Sequence, residues 1–553
     1  MIPKLLHRHY GPELDQSPIV SLTRQDLWIA LGLAGLVILL GAWQMVVGVC
    51  GVYHDDAIYV ITAKALAQGK GYRLIDLPHS PLQTKYPIFY PALLAIIWKI
   101  WPSFPQNLLA MQGLSLFCGA GTIALAYLFL VRFNYASRKL ALLACLFCAT
   151  SAPFLYFSTL TLSETSFALI SILALWAIEK HTWSPNDKVG IQISLGLLLA
   201  LPFLTRAIGI VLIPAGFLTC YLAGRNIRWI GLGAAMIGLP WIAWMLIGPR
   251  WSLNPVYTYY TNYASWWSCF GWSNLAKLLL VNIFYTTNSI PINCFAFLAD
   301  ISKYFGIIYI IYIFIGSITI LEILAQIFYK RLLSFYLVFY LAIILIWPWP
   351  PARFLIPILP FLLLYLLSVV WKITKIYKPL SNSKILFICY IIILSINFAL
   401  VYQVGKRARS MCYPSVYTMK EPVAWSSYKD IFHWINNHTL PDDVIASGLD
   451  SMVYLYTGRQ AFRPFMMNPM ALFYFQQIPP WTMKDFIHIL KIFQPKYLIE
   501  TPMPWFSEEK PFSKIINETI LSYPSLLKKV YEEKDKRFVV YQIEPNQLAA
   551  AKK

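Results

Sequence analysis

Two adjacent carboxylates, Asp55 and Asp56, stand in the run VYHDDAIY that begins at Val52, just past the first long apolar stretch of the chain. A carboxylate in such a place can take a proton from an attacking hydroxyl or hold a divalent cation. A low-dielectric boundary on one side makes its pKa easy to shift. The pair suits a solvated loop or a helix N-cap just as well. His54, directly before it, adds an imidazole that can ligate a metal, though a lone histidine is more often an ordinary polar loop residue. Glu164 opens another apolar run. The helix dipole favours an acid there, and a metal or substrate group could also bind it. Lys85, Arg206 and Arg353 border apolar runs too. Each can bind an anion, and each can equally snorkel to lipid headgroups.

The elements that must position these groups follow from composition. Of 553 residues, 58% are hydrophobic and 13% charged, against about 25% charged in soluble domains. Apolar runs near the thickness of a hydrocarbon core recur from about residue 27 to residue 404, which a cleavable signal does not explain. They read as eleven spans: 27–49, 106–131, 139–157, 163–179, 189–205, 207–223, 229–247, 304–328, 333–348, 354–371 and 385–404. The net charge of +20 comes largely from Lys and Arg in short loops between these runs, so it signals topology and no nucleic-acid partner is expected. The cations alternate loop by loop. A multi-pass cell-membrane protein is expected, with its N-terminus cytoplasmic and its C-terminus outside.

Two long outer loops result, 50–105 and 249–303. In the first, the apolar stretch Tyr90–Trp101 is too short to span and reads as a helix lying along the membrane surface. The second is aromatic, with Trp251, Tyr257, Tyr260 and Trp272 among others. Such rings gather at membrane interfaces and can also stack on sugars. Cys269 and Cys294 fall in this loop, bridged or free. After residue 420 charges of both signs appear and apolar runs shorten to strand length. Helical periodicity over Tyr428–His438 and Lys484–Phe493 alternates with strand-like Val444–Ser447, Lys496–Glu500 and Arg537–Ile543. Residues 1–420 are therefore expected to form a polytopic α-helical membrane domain, and 421–553 a small extracytoplasmic α/β domain.

The order of landmarks carries a resemblance. Asp55 and Asp56 are followed by TKYPIFYP from Thr84, then TLSETSF from Thr161, then WPWPPARFL from Trp347. This succession resembles the GT-C glycosyltransferases. It is most similar to family 39 relatives, the protein mannosyltransferase and lipid A aminoarabinose transferase type, over about residues 25–370. The resemblance implies an inverting transfer outside the membrane, from a sugar on a polyprenyl phosphate to a lipid, glycan or protein acceptor. It assigns the catalytic acid of the first outer loop to Asp55, with Asp56 at the position of a second acid. Having His54 directly before the pair departs from the family pattern.

The chemistry agrees with that assignment. Phosphate leaves as a stable anion, so the reaction needs a base for the incoming hydroxyl and cations at the leaving oxygens. Asp55 suits the first need, and Lys85, Arg353 and Arg206 the second. Glu164 and His54 remain substrate or metal candidates, and a divalent metal ion is an open cofactor. The rival reading is a transporter or flippase of a lipid-linked substrate. Transporters keep ionisable groups near the bilayer midplane, whereas these groups map to span ends on one face.

Overall fold

A computed structural model describes residues 19–51, 53–185, 188–248, 255–262, 274–301, 306–376, 383–409, 425–465, 474, 482–501, 509–534 and 537–551. The first helix, α1 (Arg24–Gln44), starts at a capping box in which Thr23 and Asp26 satisfy each other's backbone donors. The chain then turns into α2 (Asp55–Ala67) and α3 (Phe89–Ile100), the latter where a surface helix is expected. The helical body continues through α4 (Leu108–Arg132), α5 (Arg138–Ala149), α6 (Ala152–Ser158), α7 (Glu164–Trp183), α8 (Val189–Thr205), α9 (Leu212–Leu222) and α10 (Arg228–Ile247). After the short α11 (Pro255–Thr261) come α12 (Leu275–Cys294), α13 (Ile308–Ala325), α14 (Leu332–Ile346), α15 (Leu359–Ile376) and α16 (Ser383–Arg409).

By length and composition, six of the described helices can cross a membrane, or seven if α5 and α6, bent by 63°, make one span. The apolar helices at 189–205, 207–222 and 332–346 are shorter than these. Every expected span coincides with a helix. Helix α12 corrects the reading of 249–303 as a loop. Its apolar signal is broken by Asn282, Thr286, Thr287, Asn288 and Asn293, all buried. The three amide nitrogens and the Thr287 hydroxyl donate to nearby carbonyls, while Thr286 Oγ1 and Asn288 Oδ1 have no partner among the described residues. The Asn282 amide donates to the carbonyls of Leu345 (2.9 Å) and Trp347 (2.8 Å), and that of Asn293 to Ala352 (2.8 Å). The middle and the C-terminal end of α12 are thereby tied to the end of α14 and the segment that follows it. Cys294 is a buried free thiol there. Cys269, Trp251 and Trp272 lie outside the described residues. Cys145 and Cys148, spaced C-x-x-C on α5, are likewise buried and free.

Beyond the bundle, residues 425–551 build a five-stranded sheet of order β2-β1-β3-β5-β4. Its strands are β1 (Ile445–Ser447), β2 (Ala461–Phe462), β3 (Tyr497–Glu500), β4 (Leu527–Glu532) and β5 (Val539–Ile543). Strand β1 runs parallel to β2 and β3, while β5 is antiparallel to β3 and β4. The connecting helices are α17 (Trp425–His438), α18 (Asp450–Thr457), α19 (Met483–Phe493), α20 (Glu509–Ser522) and α21 (Pro545–Ala550). The sheet does not bury its faces alone. Leu74 and Leu77 from the segment after α2, with Tyr257 and Tyr260 from α11, complete one apolar cluster over it, and Val49 joins the other. The backbone of Ala461 also donates to the carbonyl of Asp76 at 2.9 Å.

Candidate active site

Helix termini bring the charged groups together at one end of the bundle. Asp55 and Glu164 occupy the first turns of α2 and α7, where the partial positive charge of the helix end favours them. Arg206 lies in the extended break between α8 and the 3-10 turn Ala207–Val211. Arg353 lies in the 3-10 segment Pro351–Ile358 that leads into α15. Runs of proline around it prevent a regular helix start and leave the side chain at the rim of the bundle.

One guanidinium links both acids. Arg353 Nη1 donates to Asp55 Oδ2 at 2.7 Å, and Arg353 Nε donates to Glu164 Oε1. Arg206 Nη1 lies 2.9 Å from the same Glu164 oxygen and donates to Ser163 Oγ at 3.0 Å. Ser163 in turn shares a hydrogen bond with the Tyr59 hydroxyl at 2.9 Å. The Tyr86 hydroxyl donates to Asp55 Oδ1 at 2.5 Å. Two carboxylates and two guanidiniums thus balance in charge, the condition for holding ions in a poorly solvated place. Glu164 is fully buried, and its Oε2 has no hydrogen-bond partner among the described residues. Asp55 stays a quarter exposed, so a substrate can reach it.

Lys85 is buried beside this network, its ammonium over the Tyr86 ring at 5.6 Å. Burial pushes its pKa down to about 7, with the Asp55 charge pulling the other way. Burial would raise the Asp55 carboxyl, but Arg353, Tyr86 and His54 outweigh it and hold the group below its usual value. Asp56 behaves differently. It is 1% exposed and points back to accept from Gly51 N at 2.7 Å, while its Oδ1 has no partner among the described residues. Burial raises its pKa to about 6. It shapes the turn before α2 and does not join the Arg353 network. The N-cap of α2 is His54, not either acid, and it makes no capping bond through its side chain. Its imidazole instead faces Asp450 of α18, Nε2 to Oδ1, at 3.5 Å.

Seven residues singled out in the sequence therefore divide. Asp55, Glu164, Arg206 and Arg353 form one bonded cluster, Lys85 borders it, and Asp56 and His54 turn aside. Tyr86, Ser163 and Asp450 were missed. Tyr86 adjoins Lys85 in the same motif and could have been suspected; Asp450 lies almost 400 positions from its partner, and no local signal marks it. The cluster does not suit a divalent metal. Asp55 and Glu164 are already neutralised by guanidiniums, and among the described residues no three His, Cys, Asp or Glu side chains converge.

No family model and no curated protein matches the chain by sequence. Solved structures do. ArnT from Cupriavidus metallidurans, bound to undecaprenyl phosphate, is similar with a TM-score of 0.52 at 12% identity, over 94% of this chain and 98% of that one. The archaeal oligosaccharyltransferase AglB from Archaeoglobus fulgidus, in complex with an inhibitory peptide and a dolichol-phosphate, is similar with a TM-score of 0.52 at 13% identity, over 94% and 75%. At such identities the likeness is one of fold alone, a polytopic helical fold shared with ArnT and AglB.

Proposed function

We propose that this chain is a membrane glycosyltransferase that moves a sugar from a polyprenyl-phosphate donor to an acceptor hydroxyl at the outer face, with inversion. The observation that carries the reading is the Asp55–Arg353–Glu164–Arg206 cluster at converging helix ends, in a fold shared with proteins bound to undecaprenyl phosphate and dolichol-phosphate. In this reading the chain crosses the membrane eleven times, and residues 421–553 lie outside.

Each group then has a task. Asp55 accepts the proton of the acceptor hydroxyl as its oxygen bonds to the anomeric carbon. The bond from that carbon to the phosphate oxygen breaks on the opposite side, and the electron pair leaves with polyprenyl phosphate. Arg353, Arg206 and Lys85 take up the charge on the phosphate. Arg353 spends Nε and Nη1 on the two acids and keeps Nη2 for an incoming oxygen. A phosphate that draws Arg353 toward itself weakens its hold on Asp55, and the carboxylate becomes a better base when the donor is in place. Glu164 keeps both guanidiniums aimed. The experiment is incubation of purified protein with a panel of labelled undecaprenyl-phosphate hexoses and pentoses, together with a mixture of hydroxyl-bearing lipid, glycan and peptide acceptors, and analysis of the product anomer. Transfer with inverted configuration is expected. Retained configuration, or no release of undecaprenyl phosphate from any member, contradicts the proposal.

A further inference from the structure

Helix α18 of the sheet domain reaches back to the segment that carries Asp55. The Tyr456 hydroxyl donates to the Gly48 carbonyl at 2.8 Å and accepts from Cys50 N at 3.1 Å. Met452 packs on Gly51, whose φ of 103° no side chain would favour. Asp450 meets His54 at 3.5 Å and is itself held by Arg463 Nε at 3.3 Å and by the Tyr260 hydroxyl. His54 carries φ 61° and ψ −53°, a backbone state that its Cβ disfavours. A residue keeps such a conformation only where its surroundings enforce it. The next residue in the chain is Asp55.

We infer that Asp450 and Tyr456 are positioning residues. Through His54 and the Gly48–Cys50 backbone, α18 sets where the Asp55 carboxylate stands, so the sheet domain belongs to the catalytic apparatus. The inference rests on the reading of Asp55 as the base. Burial opposes a charge on Asp450, but Arg463, His54 and Tyr260 outweigh it and keep the group anionic, as a fixed partner for His54 requires. The geometry also explains why Asp56 faces Gly51. It braces the same turn from the bundle side.

The test uses the full chain and the undecaprenyl-phosphate sugar that turns over fastest. Asp450→Asn, His54→Asn and the double variant are compared with Asp55→Asn. Misplacement of a base costs kcat while donor binding survives, so Asp450→Asn should lose about ten-fold or more in kcat with KM for the donor within about two-fold. Because both residues act through one contact, the double variant should be no slower than the slower single variant. Asp450→Glu should recover part of the rate. Tyr456→Phe removes a single hydroxyl from a packed ring and carries the same expectation, which covers the case in which Asp450→Asn fails to fold. Wild-type kcat in folded Asp450→Asn or in Tyr456→Phe overturns the inference, as do losses that multiply in the double variant. If Asp55→Asn is inactive while these variants keep wild-type kcat, the positioning role alone falls. Full activity in Asp55→Asn removes both ideas.

Discussion

Arg353 holds two acids with one side chain, and that geometry makes it hard to replace. A charge-assisted hydrogen bond contributes about 1.5–3 kcal/mol, so Arg353→Ala should weaken binding of an undecaprenyl-phosphate sugar about ten-fold or more. Arg353→Lys should recover only part, because a point charge cannot serve Asp55, Glu164 and a phosphate at once. Donor affinity unchanged in Arg353→Ala would assign the residue to structure alone. Lys85 allows a sharper test. Its free-enzyme pKa is pushed down to about 7, and a bound phosphate raises it again. Binding above pH 7 therefore takes up a proton, and affinity for the non-titrating phosphodiester should fall up to about ten-fold per pH unit there. Lys85→Arg should flatten that profile, as isothermal titration at pH 6 to 9 would reveal. A flat profile in the wild type would mean that Lys85 does not meet the phosphate. The four clustered charges were visible in the sequence because ionisable groups at the ends of apolar runs are costly and need a reason. Their mutual pairing was not, since Arg353 and Asp55 are separated by 298 positions.

At the scale of elements, close helix contact fixes where the cluster can form. Helices α8 and α10 touch backbone to backbone at Gly196 and Gly233, where an added Cβ would meet the carbonyls of Ile230 and Ile193. Small residues permit this approach in membrane bundles. Arg206 caps the C-terminal end of α8, so separating the pair should shift it. Gly196→Ala should lower the melting temperature and the folded yield in detergent, an overpacking cost of about 1–3 kcal/mol. Gly190→Ala on the same helix meets nothing within 4 Å and should be neutral or stabilising. Equal melting temperatures for the two variants would discard the close-contact account. Most spans were legible from hydropathy, whereas α2, α11 and α12 fall in stretches read as loops, α12 because its buried asparagines look like loop residues. In the sheet domain the short β2 and the edge strand β4, with exposed Lys528 and Lys529, gave no alternating pattern to read.

The whole molecule has two chemically different ends. The cluster around Asp55 occupies one. The other is pinned by Arg138 with Asp26 (2.9 Å), Lys372 with Glu322 (2.6 Å) and Arg331 with Glu179 (3.9 Å). The second end is where the loop cations accumulate, so it should be cytoplasmic. In single-cysteine variants, an impermeant thiol reagent should label Lys514→Cys in intact cells and Lys188→Cys only after permeabilisation. Labelling of both from one side would break the eleven-span topology. The docking of the sheet domain onto 48–54 could not be foreseen, because it joins segments some 400 positions apart through single hydroxyl and carboxylate contacts. Every part of this arrangement leads to one carboxylate, and its removal is the direct test. Asp55→Asn preserves size but cannot take the proton. Turnover of an undecaprenyl-phosphate sugar should fall about 100- to 10,000-fold, with donor affinity largely retained because the lost interaction belongs to the transition state. Wild-type turnover by folded Asp55→Asn would contradict the account.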